Sequence, residues 1–241
     1  MKILITSGGT KIKIDRVRDI TNMSSGTFGS RIATEYLKLN HNVVFMKARG
    51  SKTPMSTTID LMHNPMSIID FKYWEEEMKA FQDYYTEYEY TTYEQYAEML
   101  KFVIGVEKPD MILLAAAVSD YGVENVCNGK LRSNDMLTIK LCQLPKLINR
   151  VKEWAPNAKL IGFKLLVDSK DSELIDAAKR SITENDCDMV VANDLRDIKD
   201  NNHIVHLVTK KGVTQCHTGP STAHDKNMLA RMVVRHSLNE I

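Results

Sequence analysis

The segment SGGTKIKIDRVRDITNMSSGTFG, residues 7–29, constrains the fold more than any other part of the chain. It follows an apolar run, begins with two glycines, passes through a charged stretch and reaches a second glycine cluster that can open a helix. Glycine permits left-handed turns and close backbone approach, and free N–H groups at a helix start attract anions. An ordinary dinucleotide fold passes from strand to glycines to helix within a few residues. The longer path here predicts an anion site built on an extended loop.

Apolar runs alternate with helical patterns along the rest of the chain. KILIT and NVVFMKA predict two strands, and the apolar residues between them fall near helical spacing. Further strands are predicted within DMILLAAAVSDY, KLIGFK and CDMVVAND, and helices over 94–106, 146–154, 172–185 and 221–238. This alternation predicts an α/β fold with a Rossmann-like, doubly wound, mainly parallel sheet.

Two segments fall outside the alternation and predict a small antiparallel flank. MLTIKL (136–141) alternates like a strand, and 203–219 resembles a hairpin that turns at 210–212. The tyrosine-rich stretch 70–96 predicts a helix to about residue 84 and a short strand near 88–91. Its many acids and few cations favour packing over stacking on bases. We expect one domain over 1–241, with an aromatic-rich insertion near 60–90.

Composition excludes several classes of function. Lys and Arg total 32 against 31 Asp and Glu, a net charge of +1, so no global field favours nucleic acid or an anionic membrane. Four cysteines without CxxC spacing are typical of a reduced cytosolic protein. The longest apolar run, 111–118, is far below the roughly 20 residues of a membrane span, and the N-terminus lacks a signal peptide's apolar core. We therefore expect a cytoplasmic protein with neither nucleic acid nor membrane as partner.

The glycine clusters carry the candidate site. Gly8 and Gly9 end the first predicted strand, while Ser24, Ser25 and Gly26 offer capping hydroxyls and a glycine where a helix begins. The stretch between them is locally basic. The pattern G-x-G-x-x-G is absent, and no acid for a ribose follows the second strand. A phosphorylated ligand larger than a dinucleotide pyrophosphate explains the long loop best.

Several motifs resemble a known family in their order along the chain. ITSGGTKIKIDRVRDITNMSSGTFG, AAAVSDY, GKLRS, LPKLI, GFKLLVD and VVANDL succeed one another as they do in phosphopantothenate-cysteine ligases. The resemblance covers nearly the whole chain and is to the monofunctional form, because nothing similar to a fused flavin-dependent decarboxylase precedes it.

The resemblance implies an enzyme of coenzyme A biosynthesis, a nucleoside-triphosphate-dependent acid-amino acid ligase. It would join 4′-phosphopantothenate to L-cysteine through an acyl-CMP or acyl-AMP intermediate, with release of pyrophosphate. CTP or ATP is the implied co-substrate, with Mg²⁺, and the choice between the two nucleotides stays open. The family resemblance also implies a homodimer.

The resemblance assigns roles to residues of this chain. Asn22 would hold the acyl-nucleotide through its amide, and Lys130, on a mobile flap, would neutralise the reacting phosphate. Ala116 and Asp120 match a strand end beside the nucleotide, and Phe163 matches an aromatic next to the base. The implied nucleotide-binding residues are Gly8, Gly9, Thr10, Ser24, Ser25, Gly26, Ala116, Asp120, Phe163 and Asn193.

The sequence leaves two alternative functions open beside the ligase and offers one candidate metal site. An NAD(P)-dependent oxidoreductase would use Lys47 and Arg49 for a ribose phosphate, and a non-catalytic nucleotide-binding protein would share the glycines but not need Lys130. His203 and His206 lie three apart on a predicted strand and so point to opposite faces. We assign them a structural role and name no metal ligands.

Overall fold

The computed structural model describes residues 1–54, 72–73, 75–76, 79–132, 136–199, 204–218 and 227–241. The strands are β1 Lys2–Ser7, β2 Lys11–Lys13, β3 Asp19–Thr21, β4 Asn42–Ala48, β5 Tyr85–Tyr90, β6 Met111–Leu114, β7 Tyr121–Val123, β8 Leu141–Gln143, β9 Lys159–Leu166, β10 Met189–Asp194, β11 Ile204–Thr209 and β12 Val213–His217. The helices are α1 Thr27–Lys38, α2 Tyr93–Glu107, α3 Ile148–Trp154, α4 Asp171–Asn185, α5 Leu195–Lys199 and α6 Met228–Glu240, with a 3-10 turn at Gln82–Tyr84.

Within the described residues the main sheet has eight strands in the order β12-β11-β10-β9-β6-β1-β4-β5. The six strands from β10 to β5 are parallel, and β11 and β12 continue the sheet in antiparallel pairing. The chain runs outward from β1 through β4 to β5, then returns to β6 on the other side of β1. The switch point of the topology therefore lies between β1 and β6, where doubly wound proteins bind ligands.

Alternate residues of the parallel strands enter two separate cores. Ile3 and Ile5 of β1 pack with α1 and α6 on one face, while Leu4 packs with α2 and α4 on the other. All three side chains are fully buried. Burial on both faces explains why these strands read as continuous apolar runs in the sequence. The doubly wound, mainly parallel fold is confirmed.

Helix α2 shows how local sequence sets an element boundary. The Oγ1 of Thr92 accepts a hydrogen bond from the Gln95 N–H at 3.3 Å, and the Gln95 side chain accepts from the Thr92 N–H at 3.3 Å. This reciprocal capping box satisfies two N–H groups that the first helical turn leaves unpaired. It fixes the start of α2 at Tyr93, one residue before the predicted boundary.

The predicted strand 136–141 is wrong. Residues 136–140 are irregular, and β8 begins only at Leu141, where it pairs with β7 in a separate two-stranded sheet. Met136 is 97% exposed and Leu137 is 52% exposed, so their alternation buries nothing and does not hold a strand. The predicted hairpin does turn at 210–212, with the Thr209 N–H donating to the Gly212 carbonyl at 2.9 Å. Its two strands, β11 and β12, form the antiparallel edge of the main sheet, so the small antiparallel flank is confirmed.

Some predictions fall partly outside the described residues. The insertion near 60–90 is described only from 72–73, 75–76 and 79 onward, and its predicted strand is β5, which starts three residues earlier than expected. His203, Gly219 and the first turns of the predicted helix 221–238 also lie outside. In the part of the chain that is described, no helix is long and apolar enough to span a membrane.

Candidate functional site

The turn that follows β1, residues 7–10, is called the glycine turn and lies at the switch point. Gly8 has a φ of +86°, and a Cβ there would lie 2.6 Å from the Cβ of Ala48. A Cβ on Gly9 would lie 2.5 Å from the carbonyl oxygen of Asn22, a backbone atom with little freedom to move. Both positions therefore require glycine, for conformation at the first and for close approach at both.

Hydrogen bonds join the glycine turn to the chain beyond β6. The Ala117 N–H donates to the Gly8 carbonyl at 2.8 Å, and the Thr10 N–H donates to the Ala117 carbonyl at 3.2 Å. The side-chain Nδ2 of Asn22 donates to that same carbonyl at 3.0 Å. The Ser119 N–H donates to the Thr10 hydroxyl at 2.9 Å. The turn, the asparagine and the end of β6 thus form one hydrogen-bonded unit.

Helix α1 begins beside this unit, with Gly26 as its N-cap at a φ of +74°. The Ser7 hydroxyl donates to the Gly26 carbonyl at 3.0 Å, and a Cβ on Gly26 would lie 2.9 Å from that hydroxyl oxygen. The capping role expected of the serines is not seen, because Gly26 holds the cap position and the Ser25 hydroxyl accepts from the Thr27 N–H only at 3.4 Å. No acidic side chain stands in the first turn. The positive end of the helix dipole is left to favour an anion.

An aromatic pair lies next to the start of α1. Phe163 of β9 packs edge-on against Phe28 of the first α1 turn, with ring centroids 6.2 Å apart and an interplanar angle of 82°. Both rings are only partly buried, as is Ala116 at the end of β6. An apolar surface therefore borders the glycines at the carboxyl edge of the sheet. Asn193 lies one strand beyond, on β10, in register with Leu165.

The end of β10 carries a buried carboxylate that the sequence analysis missed. Asp194 is 1% exposed. It accepts hydrogen bonds from the N–H groups of Ser169, Arg196 and Asp168 at 2.8, 2.9 and 3.1 Å, and from the Ser169 hydroxyl at 2.8 Å. These donors, the Ser169 N–H first among them, lower the pKa of Asp194 from 3.8 to about 2. Asp194 thus fastens the loop between β9 and α4 to the strand beside Asn193.

Two buried tyrosines form hydrogen bonds with the last residues of β1, just before the glycines. The sequence predicted only a packing role for them. The Tyr90 hydroxyl donates to the Ser7 carbonyl at 2.8 Å. The Tyr96 hydroxyl donates to the Thr6 hydroxyl oxygen at 3.4 Å, and that oxygen also accepts from the Ala116 N–H at 3.3 Å. Burial raises the pKa of Tyr96 to about 12, so the tyrosine stays neutral. Packing rather than base stacking is confirmed for both.

Asp120 and Lys130 lie on the chain beyond β6. Both are exposed, and across the described ranges neither side chain has a recorded hydrogen bond or ion pair. The backbone of Asp120 is held, because its carbonyl accepts from the Leu144 N–H at 2.9 Å. Residues 127–132, called the lysine loop, carry Lys130 and contact the charged segment before Asn22. The structure thus brings residues 127–132 against residues 14–18, two segments that the sequence alone did not relate.

The cations at the end of β4 are already paired. The Lys47 ammonium lies 3.0 Å from Glu89 and 3.5 Å from Glu87, and the Arg49 guanidinium lies 2.8 Å from Glu89. Both acids belong to the neighbouring strand β5. A ribose phosphate bound here would compete with these carboxylates, which disfavours the NAD(P) alternative.

Metal ligands do not cluster in the described part of the chain: there, no three His, Cys, Asp or Glu side chains lie close enough to hold an ion. His206 is 4% exposed, with its Nε2 3.9 Å from an Asp171 carboxylate oxygen. Mg²⁺ that accompanies a nucleotide keeps several waters and binds through phosphates and one or two carboxylates. The exposed Asp120 fits that lesser demand.

A doubly wound sheet with a glycine turn at its switch point is typical of α/β proteins that bind phosphate groups. The chain matches the family model described as DNA/pantothenate metabolism flavoprotein C-terminal domain over residues 1–64 and 82–239, and it belongs to this family. The resemblance to phosphopantothenate-cysteine ligases is confirmed.

Relatives and solved structures agree with this assignment. Phosphopantothenate-cysteine ligase 1 of Oryza sativa subsp. japonica is 32% identical over 240 residues, which cover 86% of this chain and 71% of that protein. The coenzyme A biosynthesis bifunctional protein CoaBC of Thermococcus kodakarensis is 33% identical over 207 residues, 86% of this chain but only 44% of that protein. The DNA/pantothenate metabolism flavoprotein from Streptococcus pneumoniae has a TM-score of 0.78 at 27% identity, covering 99% of this chain and 98% of that one.

Proposed function

We propose that the protein is a ligase of coenzyme A biosynthesis that joins 4′-phosphopantothenate to L-cysteine at the expense of a nucleoside triphosphate. The observation that carries the proposal is the hydrogen-bonded unit at the switch point. There the glycine turn, Asn22 and the segment after β6 meet beside the start of α1, whose N-cap Gly26 has no side chain to bond the first turn. Family membership supplies the substrates.

The reaction proceeds in two steps. A carboxylate oxygen of 4′-phosphopantothenate attacks the α-phosphorus, the bond from that phosphorus to the bridging oxygen breaks, and pyrophosphate leaves. The cysteine amine then attacks the acyl carbon, loses a proton, and expels the nucleoside monophosphate as the amide forms. Both partners of the first step are anions, so positioning and cationic stabilisation are the main catalytic needs.

Asn22 suits the task of holding the acyl-nucleotide. One hydrogen of its Nδ2 is directed to the Ala117 carbonyl, which fixes the amide at the end of β6. The amide carries a second hydrogen, and it does not titrate. We assign that hydrogen to an oxygen of the intermediate. Asn22→Asp is expected to let the intermediate form but slow its conversion, which mass spectrometry of the trapped species would reveal.

Lys130 suits the neutralisation of the reacting phosphate. Its side chain is exposed on the lysine loop, and its ammonium carries three N–H donors at the end of a flexible stem. The remaining assigned residues bind the nucleotide around the same edge: backbone N–H groups and hydroxyls for the phosphates, and the Phe163 surface for the base. When Mg²⁺ is bound, it supplies further charge neutralisation on the triphosphate, and Asp120 is the residue we assign to it.

The test is a pyrophosphate-release assay with CTP and ATP in parallel. We expect pyrophosphate to appear with 4′-phosphopantothenate and at least one of the two nucleotides, and the monophosphate to be released only when L-cysteine is added. Hydride transfer without pyrophosphate would overturn the ligase in favour of an oxidoreductase. Nucleotide binding without any turnover would favour a non-catalytic protein.

Domain organisation, assembly and location are further parts of the proposal. A single domain over 1–241 with an insertion is supported by the family match, which omits only 65–81 between its two segments. A homodimer is supported by exposed apolar side chains in and around the small sheet of β7 and β8, namely Tyr121, Val126, Met136, Leu137 and Leu141. Light scattering at micromolar concentration tests the dimer, and cell fractionation tests the cytoplasmic location.

A further inference from the structure

We infer that Asp15 is a positioning residue for Lys130, because its buried carboxylate fixes the loop that presents this lysine. The inference rests on the proposed function, since it presupposes that Lys130 acts in the first step. In the sequence, Asp15 is one of two acids in the locally basic stretch between the glycine clusters. The structure shows a different environment.

The Asp15 carboxylate connects two segments that are more than a hundred residues apart. Its side chain is fully buried. Oδ1 accepts hydrogen bonds from the N–H groups of Val17 and Arg18, both at 2.8 Å. Oδ2 accepts from the Leu131 N–H at 3.1 Å and from the Arg18 guanidinium at 2.5 Å. One oxygen thus organises the local turn, and the other holds the lysine loop.

Lys130 stands between two anchored residues. On one side, the Gly129 carbonyl accepts from the Arg16 N–H at 3.0 Å. On the other, Leu131 donates to Asp15, and its carbonyl accepts from the Arg18 guanidinium at 3.4 Å. The Lys130 side chain is exposed while the backbone on both sides of it is fastened to the same turn. The position from which the ammonium reaches out is therefore set by that turn.

The charge of Asp15 matters as well as its shape. Hydrogen bonds to an ionised acceptor are about twice as strong as neutral ones, and here four donors converge on one buried carboxylate. These donors, led by the Val17 N–H, lower the pKa of Asp15 to about 2, so it stays ionised at neutral pH. The chain continues from this turn through β3 to Asn22, whose amide is bonded to Ala117.

The decisive variant is Asp15→Asn, because it keeps the acceptor role of one carboxylate oxygen and removes that of the other. The amide oxygen can still accept from the Val17 and Arg18 N–H groups, but the NH₂ group faces the Leu131 N–H and the guanidinium as a donor against donors. Asp19→Asn is the matched control. Asp19→Asn makes the same change of charge in the same segment, and within the described ranges the Asp19 carboxylate has an ion pair with Lys11, at 4.0 Å, and no hydrogen bond to the lysine loop.

We expect Asp15→Asn to lower kcat for pyrophosphate release about 10²-fold, the loss that an ångström of misplacement brings. The rate at which L-cysteine converts preformed acyl-nucleotide in a single turnover should stay unchanged, since we assign Lys130 to the first step. The double variant Asp15→Asn/Lys130→Gln should be no slower than Lys130→Gln alone, because both changes remove the same function. Hydrogen exchange at the Leu131 amide should accelerate while the core amides keep their protection.

Leu131→Pro is the second variant if Asp15→Asn fails to fold. It removes the loop's N–H donor and leaves the carboxylate its three other donors. Full activity of either folded variant, or a double variant with additive losses, would overturn the inference. A failure of the proposed function gives a different result. The wild-type protein would then release no pyrophosphate with 4′-phosphopantothenate, and Lys130→Gln would show no further loss of rate.

Discussion

The glycine turn and the lysine loop are built in opposite ways. The glycine turn rests on the sheet, with Tyr90 and Tyr96 bonded beneath it and Ala117 bonded beside it. The lysine loop lies outside both cores and is held by the turn around Asp15. Binding thus has a rigid support, while the cation that neutralises charge sits on an exposed element. Substitutions in the two regions should therefore have different effects. Changes in the glycine turn should lower both stability and activity, whereas changes in the lysine loop should lower activity alone.

Lys130→Gln should have the largest effect on activity and tests the exposed region. We expect acyl-nucleotide formation to fall about 10³-fold, the upper range for losing one preorganised electrostatic contact to a transition state. The melting temperature should not move, because the side chain is exposed. Rapid-quench measurement of pyrophosphate provides the rate. The control is Lys101→Gln, an equally exposed lysine on α2, and equal rates for the two variants would refute the role of Lys130.

Gly9→Ala tests the rigid side. The new Cβ would lie 2.5 Å from the Asn22 carbonyl, so the backbone must shift. We expect about 1–3 kcal/mol of lost stability, typical of overpacking, and about a 10²-fold loss of rate through displacement of Asn22. Urea unfolding and steady-state kinetics measure the two effects. Gly105→Ala is the control: no atom lies within 4 Å of its Cβ, and in the α2 interior it should stabilise by about 1 kcal/mol.

Tyr90→Phe should have a smaller effect. It removes the hydrogen bond to the buried Ser7 carbonyl and keeps the ring, so we expect a loss of about 1 kcal/mol and a rate reduced only a few-fold. Thermal unfolding measures it. Tyr84→Phe, at a more exposed tyrosine, should leave stability unchanged. An equal effect in both variants would mean that Tyr90 does not support the glycine turn.

The last prediction concerns stability alone, a pH dependence at Asp194. Its pKa is lower in the folded protein than the 3.8 of the unfolded chain, so the ionised carboxylate stabilises the fold above about pH 4, and this contribution disappears as the pH falls toward 2. Asp194→Asn should be less stable than wild type at pH 7, and the gap in melting temperature should narrow between about pH 4 and pH 2. A constant gap would contradict the assignment.

Sequence predicted the buried part of the molecule well and the exposed part poorly, for one physical reason. In β1 and β10 each residue is buried on one face or the other, so the apolar run alone specifies a strand. The alternation of 136–141 has no buried face to support it, and the strand is not formed. The glycines were found because their conformation demands that residue type. Asp15, Asp194 and Tyr90 were missed because each has a partner 25 to 116 residues away and because most of these partners are backbone groups, which leave no mark on the sequence.

The central claim is that a triphosphate is held at the glycine turn and the start of α1. A crystal structure with a non-hydrolysable CTP or ATP analogue and 4′-phosphopantothenate tests it most directly. We predict phosphate oxygens within hydrogen-bonding distance of backbone N–H groups beside Gly9 and Gly26, and the α-phosphate within reach of Asn22. A fully occupied analogue bound elsewhere, with that crevice filled only by water, would contradict the account.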